Sequence, residues 1–257
     1  MFDAHLYRGT AADYDRYRLP YPPALLSSLL GRVQGRSQLM DLACGTGQLA
    51  FALCPSFSST WAVDQEPSMV SIVASRGVAS VRAVVASASS LSAPESGFDL
   101  IVIGNAFHRL ERDRVAVLAY SWLKPGGSLA LCWSESPWEG SAPWQAELRA
   151  VLSSWRSRLG DRLPSGWASD RAARPDAAVL ESAGFSFRGR VSVVVPHRWT
   201  VPSVAGIVYS TSFLPRGLFG SLAADFEAEL ADRLRGELKS RISYAYDLVS
   251  KPGGVCV

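Results

Sequence analysis
Short apolar runs alternate with amphipathic stretches along the chain, and turns rich in glycine or proline separate them. Residues 23–30 (PALLSSLL) suit a short helix with proline near its start. Residues 38–42 form an apolar strand that breaks into the turn Cys44-Gly45-Thr46-Gly47, and residues 48–53 suit a helix stopped by Pro55. A second strand at 60–63 ends at Asp64, a helix at 67–76 ends at Gly77, and a third strand covers 81–86. The run FDLIVI at 98–103 is apolar at nearly every position, which predicts a strand buried on both faces. A helix at 112–123 closes on Pro125-Gly126-Gly127 before a fifth strand at 128–133.

The alternation lapses from 135 to 175, where Trp138, Trp144, Trp155 and Trp167 accompany an amphipathic helix at about 142–159. It resumes with a helix at 176–183, a strand at 185–196, helices near 202–213 and 218–238, and a last strand at 241–248. The expected fold is α/β: a Rossmann-like, seven-stranded, mostly parallel sheet with helices on both faces. A helical cap is expected as an insertion after the fifth strand, over residues 135–175, although the same tryptophans would equally serve to pack a helix onto the sheet. The whole chain, 1–257, is expected to be one domain, with residues 1–30 forming an N-terminal lid and helix. Such sheets bind ligands outside the carboxyl ends of their strands, near the switch in strand order.

Composition narrows the class. Apolar residues make up 48% and charged residues 19% of the 257, as in a globular protein, and a net charge of +3 gives no reason to expect a nucleic-acid partner. Lysine is confined to Lys124, Lys239 and Lys251, which suggests a GC-rich coding background. Cys44, Cys54, Cys132 and Cys256 form no CxxC pair, so neither a disulfide framework nor a metal site is expected, and a cytoplasmic location follows as the default. The opening segment lacks the apolar core of a signal peptide, and no apolar run is long enough to span a bilayer, so no membrane association is expected.

The candidate chemistry lies in the strand exits. In MDLACGTGQLA the glycines permit close backbone approach, and the following helix offers unpaired amides to a ligand. Gly45 to Ala50 also fits the GxGxxG/A pattern of dinucleotide-binding enzymes. Asp41, just before the turn, separates the two: its carboxylate would repel a pyrophosphate but accept from an ammonium or from turn amides.

With Asp41-Leu42-Ala43-Cys44-Gly45-Thr46-Gly47 the sequence resembles motif I of class I S-adenosylmethionine (SAM)-dependent methyltransferases, D-x-G-x-G-x-G, with Ala43 in place of the first glycine. DQEPSM resembles the family's second-strand motif, and LKPGGSL its turn into the fifth strand. The resemblance implies SAM as cofactor, with S-adenosylhomocysteine (SAH) as product. It implies that Asp64 binds the ribose hydroxyls and that Gln65 and Met69 flank the adenine; a carboxylate offers two acceptors to a diol, and methionine a polarizable surface to a flat ring. The third-strand motif, commonly G-D-A, is Ala86-Ser87-Ala88 here, which leaves Ser87 as a weaker acceptor. The fourth-strand exit, commonly A-x-H-W, is Asn105-Ala106-Phe107-His108-Arg109. The leader from Ala11 to Pro22 resembles A-x-x-Y-x-x-Y-R-P-x-Y-P of a small-molecule subgroup that includes trans-aconitate-type enzymes. There it folds over the cofactor, which implies that Arg18 holds the methionine carboxylate and that Tyr14 or Tyr17 closes the pocket.

His108 is either a general base or a lining residue, because many methyltransferases work by alignment alone. His5 and His197 are expected to be structural. The predicted activity is methyl transfer to an oxygen, nitrogen or carbon of a small molecule, in secondary metabolism such as antibiotic biosynthesis. Alternatives are an RNA or protein methyltransferase, an NAD-dependent oxidoreductase, and a SAM-dependent cyclase or SAM-binding protein that transfers no methyl group. Five acids of the insert (Glu135, Glu139, Glu147, Asp161, Asp170) stand against six arginines (Arg149, Arg156, Arg158, Arg162, Arg171, Arg174), a balance that selects neither an amine nor an acid as acceptor.

Overall fold
The computed structural model describes residues 7–160 and 170–253. Its sheet has seven strands in the order β3-β2-β1-β4-β5-β7-β6. They are β1 (Gln38–Leu42), β2 (Ser59–Asp64), β3 (Val81–Val85), β4 (Phe98–Gly104), β5 (Leu123–Ser134), β6 (Ser186–Trp199) and β7 (Leu238–Ser250). β1 pairs in parallel with β2 and β4, and β7 runs antiparallel between β5 and β6. Strand order therefore reverses between β1 and β4, and a crevice opens at their carboxyl ends.

The period-2 geometry of a strand sends the apolar residues of β1 and β4 to both faces. Leu39, Leu100 and Val102 enter a core on one face, while Met40, Leu42, Ile101 and Ile103 enter a core on the other. Helices α2 (Pro23–Arg32), α6 (Pro143–Leu159), α8 (Val201–Tyr209) and α10 (Ala223–Arg233) cover the first face. α5 (Arg112–Trp122) and α7 (Asp176–Ser182) cover the second. The remaining helices are α1 (Ala11–Tyr17), α3 (Gln48–Leu53), α4 (Pro67–Ser75) and the short α9 (Arg216–Phe219).

The expected helix at 218–238 is divided. Gly220 has φ +54°, α9 stops there, and α10 begins only at Ala223. The helix expected at 202–213 ends at Tyr209, where the hydroxyls of Ser210 and Thr211 turn back to the carbonyls of Ile207 and Val208, each at 2.6 Å.

The first described part of the 135–175 insert packs as core. Trp155 is fully buried against Phe219 and Phe226, with ring centroids 5.4 and 5.5 Å away, and its indole N–H donates to Glu229 at 2.8 Å. Trp144 is buried too and donates to the Lys239 carbonyl at 2.8 Å. Trp167, Asp161 and Arg162 of that insert lie outside the described residues, as do His5 and Cys256. Among the described residues, no helix is long and apolar enough to cross a membrane.

Candidate functional site
Two cavities open side by side at the β1–β4 crevice, and Tyr14, Ala43, Gly104 and Asn105 line both. The turn after β1 makes their common wall. Gly45 (φ +56°) brings the backbone so close to the leader that a Cβ would stand 2.9 Å from the Tyr14 ring. Ala43 holds a left-handed φ of +59°, a conformation that costs a residue with a side chain about 1–2 kcal/mol. Asn105, at the exit of β4, is left-handed as well (φ +50°). Its side chain donates to the Ser134 hydroxyl at 2.7 Å and accepts from the Ser134 amide at 3.0 Å, which fixes β4 to β5 at the rim.

The first cavity holds Arg18, Asp41 and Glu135 as its charged groups. Asp41 is only 1% exposed, and one of its oxygens accepts from the Ala50 amide of α3 at 2.8 Å. Burial outweighs that bond and pushes its pKa up to about 7. Arg18 stacks on the Tyr14 ring at 4.7 Å and donates from one terminal nitrogen to the Ser210 carbonyl at 3.2 Å. Its Nε is buried and meets no hydrogen-bond acceptor among the described residues. A buried guanidinium N–H without a partner is uncommon in folded proteins, and here it belongs to a residue that lines the first cavity.

Asp64, Gln65, Met69, Ala88 and Gly45 line the second cavity. The Asp64 carboxylate accepts from the Gly45 and Glu66 amides, each at 2.9 Å, so its position is set by the first turn as much as by β2. Burial raises its pKa, and those two amides oppose the rise. Each oxygen keeps a further lone pair for a ligand hydroxyl. Tyr7 and Arg109 roof this cavity: the guanidinium lies 5.8 Å from the Tyr7 ring and donates to the Ser212 hydroxyl at 2.8 Å.

Five of the sequence candidates line neither cavity. Tyr17 packs instead against Gly206 of α8. Thr46 is fully buried and accepts from the Gln48 side chain at 2.8 Å, and Gly47 serves as the left-handed N-cap of α3. The Ser87 hydroxyl faces that of Ser89 at 3.1 Å, so the neighbouring walls of the second cavity are the side chains of Ala86 and Ala88. His108 packs on Trp133 with ring centroids 5.8 Å apart. Burial, reinforced by Arg109 and Arg171, lowers its pKa to about 4 and keeps the imidazole neutral near pH 7.

Other lining residues were not singled out from the sequence. They include Tyr21, Gln48, Glu135, Ile207 and Tyr244 in the first cavity and Tyr7, Ala106, Arg109 and Leu110 in the second. Tyr21, Gln48, Ala106 and Arg109 sit inside the motifs quoted above, so the sequence carries a signal for them. Ile207 and Tyr244 come from α8 and β7, where no local pattern marks them.

Residues 39–127 match the family model described as a methyltransferase domain. An uncharacterized methyltransferase of Mycobacterium tuberculosis is 27% identical over 162 residues, 63% of this chain and 65% of the relative. One of Schizosaccharomyces pombe is 28% identical over 153 residues, 58% of this chain and 60% of the relative. The matches thus span less than two thirds of these relatives' length. A solved structure from Anaeromyxobacter dehalogenans, described as a candidate type II methyltransferase, shares the fold with a TM-score of 0.63 at 21% identity, covering 92% of this chain and 98% of that one. The (4+2)-cyclase SpnF shares it with a TM-score of 0.55 at 21% identity, covering 90% of this chain and 82% of that one.

Proposed function
We propose that this chain, whose residues 39–127 match a methyltransferase domain, is a class I SAM-dependent methyltransferase that binds SAM across the two joined cavities and transfers its methyl group to a small-molecule acceptor, leaving SAH. The observation that carries the proposal is the orphaned Nε of Arg18 in the same cavity as the buried carboxylate of Asp41. Together they offer a cation for the carboxylate of an α-amino acid and an anion for its ammonium. Asp64 in the adjoining cavity then takes the ribose diol, and Gln65, Met69 and Ala88 enclose the adenine. This assignment leaves the sulfonium at the junction lined by Tyr14, Ala43 and Asn105.

SAM supplies a methyl group already activated by a positively charged sulfur. What the residues of this chain contribute is placement: Arg18 and Asp41 fix one end, Asp64 the other, and the left-handed turn at Ala43 lets the backbone approach. The leader excludes water, with Tyr14 over the junction and Tyr17 anchoring α1 on α8 at Gly206, where a Cβ would stand 2.2 Å from the Tyr17 ring. Alignment of this kind supplies much of the rate in a displacement between two bound partners. His108 has no part in the proposal as a base, because it lines neither cavity. Thr46, Gly47 and Ser87 act on the cofactor only by shaping the loops beneath it.

The proposal extends to a bacterial secondary metabolite as acceptor and to a reducing cytoplasm as location, the latter because Cys44, Cys54 and Cys132 are free buried thiols. It is tested by incubating the protein with SAM and amine, phenol, sugar and carboxylate acceptors while SAH is measured. Acceptor-dependent SAH, lost in Asp64→Ala, is the expected result. SAM binding with no SAH from any acceptor would favour a SAM-binding protein without methyl transfer.

A further inference from the structure
The charged residues of the 135–175 insert are balanced in sequence, but the structure sorts them. Arg149 donates to the carbonyls of Trp138 and Gly140, Glu147 pairs with Arg233, and Arg174 pairs with Asp113. Arg156 and Arg158 lie over aromatic rings, Arg171 binds Asp176, and Glu139 accepts from the Ser136 amide. Of the described charged residues in the insert, Glu135 alone lines the first cavity. One of its oxygens accepts from the Ser243 amide at 2.9 Å, and its own amide donates to the Ser243 carbonyl at 2.9 Å, so the carboxylate is held at the wall. Its other oxygen has no hydrogen-bond partner among the described residues.

Resting on the SAM assignment above, we infer that the acceptor is an amine, received between Glu135 and the rings of Tyr21 and Tyr244. Arg18 and Asp41 are matched by the carboxylate and ammonium of the amino-acid end, so Glu135 is the remaining charge of that cavity. The two tyrosine rings meet edge to face at 6.0 Å beside it, and aromatic faces attract cations.

Charge conservation makes the choice. A neutral amine nitrogen gives its lone pair to the methyl carbon, and the carbon–sulfur bond breaks with its electron pair remaining on sulfur. Positive charge thereby moves from sulfonium to the new N-methylammonium, and Glu135 faces a cation before and after the transfer. An acceptor that arrives as an ammonium first releases one proton to water. A carboxylate or phenolate acceptor would approach against the charge of Glu135. Transfer to it would cancel the sulfonium charge, and Glu135, solvent-exposed at the mouth of the cavity, would then face no cation.

The test uses the full chain saturated with SAH, with phenyltrimethylammonium and phenylacetate as probes in calorimetry. The ammonium is expected to bind at least about tenfold tighter than the carboxylate, a difference of about 1.4 kcal/mol. Glu135→Gln, whose side-chain carbonyl still accepts from Ser243, should abolish that preference while SAH affinity holds. Equal or tighter binding of phenylacetate, no detectable binding of the ammonium, or a preference that survives in Glu135→Gln would overturn the amine assignment alone. Failure of SAH itself to bind would overturn the SAM assignment, and the amine assignment with it.

Discussion

The two cavities share a wall but are assembled differently. The second is built almost wholly from the exits of β1, β2, β3 and β4, within the region 39–127 that matches the methyltransferase domain. The first draws on the leader, the exit of β5, α8 and β7, parts separated by more than 200 residues between Tyr14 and Tyr244. Successive strand exits of a parallel sheet converge by topology, so a site made from them needs little beyond the sheet itself. A site made from distant elements is free to vary in its chemistry. On the proposed reading, the cofactor spans the second cavity and the near part of the first, and the acceptor falls at the far end of the first.

Substitutions should divide along the same line. The largest effect belongs to Asp64→Ala. Two hydrogen bonds from ligand hydroxyls to a charged acceptor are worth about 1.5–3 kcal/mol each, so SAM affinity should fall at least tenfold in calorimetry. The Gly45 and Glu66 amides lose their acceptor as well, so Tm should drop. Arg18→Met comes next: SAM affinity should fall about tenfold through loss of a charge-assisted bond of about 1.5 kcal/mol, with a small drop in Tm from loss of the bond to the Ser210 carbonyl and the stacking on Tyr14. An Asp64→Ala protein that binds SAM normally would break the division between cavities.

Asp41 gives a pH signature. Its folded pKa of about 7 lies above the unfolded value near 3.9, so the native state holds a proton that the unfolded chain releases. Its contribution to the stability of the ligand-free protein is therefore present below about pH 4 and lost as pH rises toward 7. SAM affinity should move the opposite way, rising by up to about tenfold per pH unit below 7, because the ligand ammonium needs the carboxylate ionised. Both trends should flatten in Asp41→Asn, read by thermal melts and titrations at several pH values. Ala43→Gly should be smaller, a gain of up to about 1 kcal/mol in stability from relief of the left-handed strain. His108→Ala should be smallest of all, with turnover within roughly threefold of the parent, whereas loss of a working base costs 10²–10⁴.

The same contrast explains what could be read beforehand. Apolar runs and turn residues placed all seven strands, most plainly β1 and β4, whose burial on both faces demands mostly apolar residues. Asp64, Met69 and Gly45 were legible for the same reason: they sit one turn beyond recognisable strands. The divided helix at Gly220 was missed because a glycine within an apolar-periodic stretch is tolerated as often as it breaks a helix. Glu135 was visible only as one of eleven charges in the insert, and its isolation in the cavity depends on tertiary pairing of the others. The serine hydroxyls of Ser87 and Ser89 bond each other, which no motif comparison anticipates.

On the proposed reading, one cavity recognises an amino-acid end through Arg18 and Asp41 while the other recognises a ribose through Asp64. Calorimetry of SAM, SAH and NAD at pH 6.5, in two buffers of different ionisation enthalpy, tests it most directly. SAM and SAH should bind and release a proton from Asp41, visible as a buffer-dependent heat, while NAD, which brings no ammonium to ionise Asp41, gives no such heat. Binding of NAD with no heat from SAM or SAH would contradict the claim.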